Sequence, residues 1–549
     1  MSVKPDVLVI GAGFAGMYAI YRLRKLGLQV QVLEAGADVG GTWYWNRYPG
    51  SRCDVPSLEY SFGFSPDLEQ EWDWPEVFSA QPDILNYANH IADRFDLRRS
   101  ICFNTRATAV TYLEQSNQWQ VDTDTGTSYH ATYCIMATGC LSVPNKPDII
   151  GAESFQGETY HTGLWPEEPV DLSGKRVGII GTGSSGVQAI PELAGQAQHL
   201  TVFQRTPVYT VPANRKRMRK AVQDEFKENY RQIRAMQQNN RGGVSTFRPI
   251  KSVKPDLNRT SQPRQTIDIK SLMPEQRQQQ LDQQGLESIL GFADIYNDFE
   301  ANEIANDLFR HNIKRRIKDP QVAEKLLPKN YGLGCKRQVL DRDYYDTFNR
   351  DNVLLVDVQE NPITAIDSTG VQTTIDHYEL DVLVYATGFD AMTGALLNAN
   401  ITGRNGQTLQ EKWQFGPVAY LGLQMNGFPN LFTVTGPGSP SVLCNMLVAI
   451  EQHINWISQC IVYLKENGIN QIEPNASSEL TWISHVNDVA KDSMFTAPTC
   501  NSWYLGANIP DKPRIFMPYV GGFPQYREHC ETEQDNHSPG FTLGHSAEY

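Results

Sequence analysis

Phe155-Gln156-Gly157-Glu158-Thr159-Tyr160-His161-Thr162-Gly163-Leu164-Trp165-Pro166 stands between two glycine-rich turns, and reading it as a linker makes the chain two nucleotide folds joined there. Before it, the continuous apolar run Val7-Leu8-Val9-Ile10 has the make-up of a buried parallel strand. It runs into Gly11-Ala12-Gly13-Phe14-Ala15-Gly16 and an amphipathic segment ending at Gly27. After the linker, Arg176-Val177-Gly178-Ile179-Ile180 runs into Gly181-Thr182-Gly183-Ser184-Ser185-Gly186. Both read as strand, turn and helix. The first glycine of each turn permits the tight bend, the second lets a pyrophosphate approach the backbone, and the third lets helix and strand pack closely. The helix N-terminus then offers unpaired N–H groups to the anion.

The residues at the end of each second strand separate the two folds. Gln29-Val30-Gln31-Val32-Leu33 ends in Glu34, 18 residues past Gly16, where a carboxylate accepts hydrogen bonds from a free ribose diol. Leu200-Thr201-Val202-Phe203 is succeeded instead by Gln204-Arg205-Thr206. A carboxylate there would repel a ribose 2′-phosphate, whereas a guanidinium pairs with it bidentately, so the second fold is expected to prefer NADPH to NADH. Two strand ends, Ile135-Met136-Ala137-Thr138-Gly139 and Val384-Tyr385-Ala386-Thr387-Gly388, echo one another as a repeated fold would.

A chain of 549 residues exceeds what one hydrophobic core supports. Its net charge of −14 argues against a nucleic-acid partner, which would need a basic face. The one basic run, Arg215-Lys216-Arg217-Met218-Arg219-Lys220, is read as the solvated start of a helix. Val7 to Ile10 enters a strand too early to leave room for a signal peptide, and no apolar run approaches membrane-spanning length. A monomeric cytoplasmic protein is expected, with neither membrane nor nucleic acid as partner. The nine cysteines include no C-x-x-C pair and no His/Cys cluster, so neither dithiol redox chemistry nor a metal site is expected.

The expected fold class is α/β, with two Rossmann-like dinucleotide-binding domains and a helical insertion in the second. Residues 1–140 are read as the first part of one dinucleotide-binding domain and 141–215 as the first part of a second, NADP-binding one. Residues 216–329 are read as one helical lobe, with apolar residues at helical spacing in Val222, Phe226, Tyr230 and Ile233 and again in Ile304, Leu308 and Ile317. Residues 330–388 complete the NADP-binding domain. Residues 389–549 return to the first domain through a strand at Leu431 to Val434 and a helix from Leu447 to Tyr463, and run out in a loose tail after about Gly540. The glycine- and aromatic-rich stretch from Gly40 to Asp54 either lines a ligand or packs as a surface loop, and composition leaves both open.

At these residues the chain resembles the Baeyer–Villiger monooxygenases, in particular their phenylacetone and cyclohexanone monooxygenase branch. Phe155, Gly157, His161, Trp165 and Pro166 fill the family's F-x-G-x-x-x-H-x-x-x-W-P fingerprint, and Gly40, Gly41, Trp43, Tyr48, Pro49, Gly50 and Asp54 fill a second signature. The resemblance covers about residues 5 to 540. It implies FAD and NADPH as cofactors, and a small-molecule ketone and O2 as substrates. Hydride passes from NADPH to FAD, the reduced flavin takes up oxygen as a peroxide, and the ketone becomes an ester or lactone, with sulfide oxidation as a further activity.

The resemblance also assigns residues. Gly11, Gly13, Phe14, Gly16, Glu34, Thr42, Trp43, Tyr44, Trp45, Asp54, Tyr60 and Met446 go to FAD. Arg52, Gly181, Thr182, Gly183, Ser184, Ser185, Gly186, Gln204, Arg205, Thr206, Lys336, Arg337 and Trp503 go to NADP, with Lys336 on the 2′-phosphate. Arg337 is the catalytic cation and Asp54 the acid that pairs with it, while His161 is a positional residue of the linker. Gly438 to Met446 resembles the phenylacetone monooxygenase version of an active-site loop, and Cys140-Leu141 looks closer to the cyclohexanone one. Leu141, Pro440, Ser441, Val442 and Leu443 are thus expected to wall a mainly apolar pocket for aryl-alkyl and medium cyclic ketones. Three other readings stay open: a nitrogen- or sulfur-oxidising flavin monooxygenase, a flavin disulfide reductase (disfavoured by the missing C-x-x-C) and a non-catalytic nucleotide-binding module.

Overall fold

The structure, a computed structural model, describes residues 4–213, 217–245, 267–535 and 538–544. The chain opens with β1 (Val7–Ile10), α1 (Phe14–Lys25), β2 (Val30–Leu33), β3 (Ile101–Cys102) and β4 (Tyr133–Met136). Then come β5 (Glu158–His161), β6 (Arg176–Ile180), α2 (Ser184–Gln196), β7 (His199–Gln204), α3 (Lys220–Gln238), α4 (Phe299–Arg316), β8 (Val353–Asp357) and β9 (Val382–Tyr385). Last are β10 (Leu431–Thr433) and α5 (Met446–Glu466). Two five-stranded sheets result, in the orders β10-β4-β1-β2-β3 and β8-β7-β6-β9-β5. Every pairing in them is parallel. β1, β4 and β9 are buried at all four positions, which is why they read as unbroken apolar runs rather than alternating ones. The two Rossmann-like units are thus built on the two glycine turns.

Three expectations need correction. The stretch between the two halves of the second sheet is not one lobe. α3 lays Val222, Phe226, Tyr230 and Ile233 on the core that includes Val7 and Val9, and Arg234 Nε donates to Glu69 Oε1 at 2.7 Å. α4 belongs to another cluster, where Ala301, Ala305 and Phe309 face it, while Ile304 and Leu308 lie half-buried at its flank. The small alanines let this helix come close, and Asn302 Nδ2 donates to the Ile295 and Leu333 carbonyls. The basic run is only in part a helix start: α3 begins at Lys220, the main chain of Arg217 pairs with that of Glu76 in an antiparallel β-bridge ahead of it, and Arg215 and Lys216 lie outside the described residues.

The tail is not loose as far as it is described. Phe541–Gly544 pairs antiparallel with Gln471–Pro474, because Phe541 and Leu543 have a core to enter. Cys335 and Cys500, 165 residues apart, form a disulfide, and the other seven cysteines are free. Local spacing cannot reveal a pair that only the tertiary fold brings together. Among the described residues no helix is long and apolar enough to cross a membrane, and no group of three His, Cys, Asp or Glu side chains is placed to hold a metal ion.

Candidate functional site

The first glycine turn is defined by what it excludes. Gly11 has φ +105°, and a Cβ there would lie 2.7 Å from the Ala137 carbonyl oxygen. A Cβ on Gly16 would sit 1.9 Å from the Gly11 oxygen, and one on Gly41 2.8 Å from Gly13 Cα. Gly13 caps α1 without a side-chain hydrogen bond, so the first amides of the helix keep their capacity for an anion. The Phe14 ring is core, edge-on to Phe62 at 5.5 Å, which leaves its main chain alone at the turn. Glu34 is 5% exposed, and its two oxygens accept from Ala12 N at 2.6 Å and Gly36 N at 2.7 Å. Burial raises its pKa against the pull of these amides and Arg106, and each oxygen keeps a lone pair for a hydroxyl donor.

Thr42–Trp45 forms a helical turn rather than loop. Its aromatics are fastened to their surroundings: Trp43 Nε1 donates to the Tyr60 hydroxyl at 3.1 Å, and the Tyr44 hydroxyl accepts from Ala37 N at 3.1 Å. Beyond it the chain closes on the other fold. The Tyr48 hydroxyl donates to Gln188 Oε1 at 2.7 Å, Gln188 Nε2 donates to the Arg52 carbonyl at 3.1 Å, and a Cβ on Gly50 would lie 2.2 Å from the Gln188 carbonyl oxygen. Gln188 lies on α2, so one residue clasps the two units together. Arg52 is fixed from within its loop: Nη1 donates to Glu76 Oε2 at 2.8 Å and the Phe78 carbonyl at 2.6 Å. Its charge is thereby held inside the loop by a carboxylate.

Two residues past Arg52 stands Asp54, whose Oδ2 and Oδ1 accept from Arg337 Nε at 2.5 Å and Nη2 at 2.8 Å. Arg337 Nη1 donates to the Val442 carbonyl at 2.6 Å. Three distant stretches thus meet on one guanidinium. Burial alone would raise the Asp54 pKa, but the charge and hydrogen bonds of Arg337 outweigh it and hold the carboxyl below the usual range. Asp54 in turn, with burial opposing, drives the guanidinium pKa further up. The pair is charged at every relevant pH.

The second turn repeats the first. Gly181 has φ +112° and its Cβ would meet the Ala386 oxygen at 2.4 Å, while one on Gly186 would meet the Gly181 oxygen at 2.3 Å. Gly183 caps α2 without a side-chain bond and has open space around it. Ser184 and Ser185 begin the helix, and Thr182 is turned inward, its hydroxyl donating to the Thr206 carbonyl at 2.9 Å. Gln204 is fully buried, with Nε2 donating to the Lys325 carbonyl at 2.8 Å, because β7 ends inside the core. Arg205 is exposed. Beside it, at Thr206, opens a cleft of about 630 Å³, lined by Thr206, Lys336, Tyr331, Lys329, Thr499 and Asn501 among others. Burial, with the charge of Arg205 adding to it, lowers the Lys336 pKa to about 8. Lys336 thus lines the cleft within range of the Arg205 charge.

Leu141, Val442, Leu443, Met446 and Trp503 pack in one apolar cluster with Cys140, Met392 and Tyr504. Ser441 faces inward, wholly buried at φ +40° with its hydroxyl against Met392 Sδ, and Pro440 and Val442 are buried beside it. His161 Nδ1 accepts from Gly163 N at 2.9 Å, so the remaining proton lies on Nε2, 3.3 Å from the Asn145 carbonyl. Burial lowers its pKa, and a neutral ring bonded on both nitrogens holds the linker. Sequence reasoning missed Gln188, Tyr504 and the Cys335–Cys500 pair. Tyr504 could have been found from its place beside Trp503, whose ring centroid lies 4.3 Å away.

Residues 8–259 match a family model described as pyridine nucleotide-disulphide oxidoreductase. The disulfide of this chain falls outside that match. A Baeyer-Villiger monooxygenase of Pseudooceanicola batsensis is 39% identical over 530 residues, 95% of this chain and 93% of that one. Among solved structures, an oxidised steroid monooxygenase bound to NADP is 44% identical with a TM-score of 0.90, covering 98% of this chain and 99% of the other. OTEMO in complex with FAD and NADP is 38% identical with a TM-score of 0.91, covering 99% and 100%.

Proposed function

The chain belongs to the Baeyer–Villiger monooxygenase family, and from that premise we propose how its own residues divide the work of turning a ketone into an ester or lactone. It is an NADPH-dependent flavoprotein that uses FAD. Ketone, O2, NADPH and a proton give ester, NADP+ and water. The observation that carries the division of roles is the Asp54–Arg337–Val442 network, where the first unit, the second unit and the pocket loop meet.

We assign FAD to the unit of residues 1–140 and 389–549, and NADP to 141–215 and 330–388. The residues fit these groups: uncapped helix amides at Gly13 and Gly183, glycine cradles a Cβ would fill at Gly11 and Gly181, a carboxylate with free lone pairs at Glu34, and the two cations Arg205 and Lys336. When bound, the flavin takes reducing equivalents from NADPH and activates O2. Arg337 supplies the fixed positive charge. Its bonds to Asp54 and Val442 take three of five donor hydrogens, and a remaining Nη hydrogen can meet the ketone oxygen as it gains negative charge. Asp54 sets the plane of the guanidinium and partly neutralises it. Leu141, Val442, Leu443 and Trp503 keep water from the reacting carbonyl, which strengthens that interaction. Arg52 and Gln204 act through the loop and strand they hold, rather than by touching the nucleotide.

The same reading takes the enzyme as a cytoplasmic monomer with aryl-alkyl and medium cyclic ketones as substrates and sulfides as secondary ones. Product identification by mass over a ketone and sulfide panel, with NADPH and oxygen, tests it. Products one oxygen heavier than the ketone that hydrolyse to an alcohol and an acid support it. Oxygenation of amines or sulfides alone overturns it.

A further inference from the structure

The Cys335–Cys500 disulfide has no part in that division of roles, yet it stands at the nucleotide cleft. Cys335 is directly before Lys336 and Arg337, and Cys500 lies between Thr499 and Asn501, three residues ahead of Trp503. Lys336, Thr499 and Asn501 all line that cleft. The bond therefore ties together two stretches that both line one cleft, at a Cα–Cα separation of 5.5 Å though they lie 165 residues apart in the chain.

The surroundings show how much each stretch relies on the other. The Cys335 stretch enters through Gly334 at φ +92°, against Tyr296 and Met494, and leaves through the Arg337 network. The Cys500 stretch is held by Arg514, whose Nη2 donates to the Cys500 carbonyl at 2.6 Å and Nη1 to Asn501 Oδ1 at 3.1 Å. It then runs through Trp503 to Tyr504, whose carbonyl accepts from Met517 N, while the Met517 carbonyl accepts from Gly438 N at the start of the pocket loop. Val442, in that same loop, accepts from Arg337. A closed ring of contacts results, and the disulfide is its covalent link.

We propose that the Cys335–Cys500 disulfide is a positioning element of this reaction. It fixes Lys336 and Arg337 against the Thr499–Trp503 stretch, so that its reduction weakens hold on the nucleotide phosphate and misplaces the guanidinium. Reduction by a dithiol breaks the S–S bond, moves two protons and two electrons to the cysteines as two thiols, and leaves the reagent as its cyclic disulfide. Both cysteines are buried, so exchange waits on local opening and the oxidised form persists through turnover. The nucleotide's part in this rests on the assignment of the cleft to NADP.

The test uses the full-length holoenzyme. Alkylation after unfolding without reductant is expected to label seven cysteines, and nine after reduction. Calorimetry with NADP+ is expected to show weaker binding after dithiothreitol, with the loss recovered on reoxidation by oxidised glutathione. Ester formed per NADPH consumed should fall on the order of tenfold, as a small misplacement of a catalytic group does. The paired variant Cys335→Ser with Cys500→Ser should resemble the reduced protein and no longer respond to dithiothreitol, while Cys102→Ser, at a free cysteine on β3, should respond like the parent. Nine labelled cysteines without reduction would overturn the proposal. So would seven with NADP+ affinity and coupling unmoved by reduction. A protein with seven labelled cysteines that binds no NADP+ in either state fails in the cofactor reading instead, and takes the positioning role with it.

Discussion

The two glycine turns exclude the same things and admit different ones. In each, the first glycine leans on the carbonyl of an alanine at the end of a neighbouring strand, Ala137 or Ala386, and the third leans on the first. The middle glycines differ. Gly13 faces Gly41 of the aromatic loop, whereas Gly183 faces open space. The second strands then end in opposite chemistry, a buried carboxylate at Glu34 and an exposed guanidinium at Arg205. Shared contacts make the fold, and the residues at the rim are, we propose, the ones that choose the dinucleotide.

The harshest way to break this comparison is Gly16→Ala. With a Cβ 1.9 Å from a main-chain oxygen, the substitution should cost several kcal/mol, about 3 or more, and yield protein without bound flavin. A flavin-replete variant with parental melting temperature would show that the turn is not rigid. Arg337→Ala comes next, because it cuts the bond between the two units. Ester formation should fall about 100- to 1000-fold while NADPH still reduces the flavin, read by stopped-flow absorbance. Parental ester formation would remove Arg337 from the chemistry.

Arg205→Ala sharpens the contrast at the rim. Loss of a charged contact of about 1.5–3 kcal/mol should raise the NADPH Michaelis constant about 10- to 150-fold and spare NADH. Equal loss with both coenzymes would mean the guanidinium does not read the phosphate. Lys336 gives the pH form of the same test. Its ammonium is present in the free enzyme below about 8 and lost above it, so kcat/KM for NADPH should fall as pH rises through 8, by up to about tenfold at pH 9. Lys336→Met should flatten that limb, and a limb that survives belongs to another group. Gly183→Ala is the mildest. Nothing lies within 4 Å and its φ of −75° suits alanine, so stability should move within about 0.5 kcal/mol while the NADPH Michaelis constant rises a few-fold. An unchanged constant would mean the pyrophosphate does not pass over Gly183.

The features legible in the sequence are those in which a short stretch carries its own geometry. Val7–Ile10 and Gly11–Gly16 state a strand and a turn without help from elsewhere, and so do the matching residues after Arg176. Arg337 and Asp54, 283 residues apart, pair in the sequence only through a family resemblance, and no local pattern contains that contact. Other contacts escape local pattern for the same reason. Arg52 and Gln204 are polar residues beside nucleotide motifs, and the partners they take, Glu76 and the Lys325 carbonyl, come from other segments. The helical spacing of Val222 to Ile233 is plain, yet spacing does not say which core a helix joins. Cysteines 165 residues apart carry no signal of pairing until both stretches of chain have been placed.

The order of the first sheet, β10-β4-β1-β2-β3, sets a schedule on the ribosome. β4 ends at Met136, and its outer neighbour starts at Leu431, about 295 residues later. At a synthesis rate of about 5–20 residues per second, the outer edge of β4 waits on the order of 15–60 seconds with its main-chain donors and acceptors unpaired. An apolar strand edge of that kind is a template for another chain. The nascent protein therefore passes its most vulnerable interval while the second unit is being made, and how much of it reaches the finished state depends on what shields that edge in the meantime.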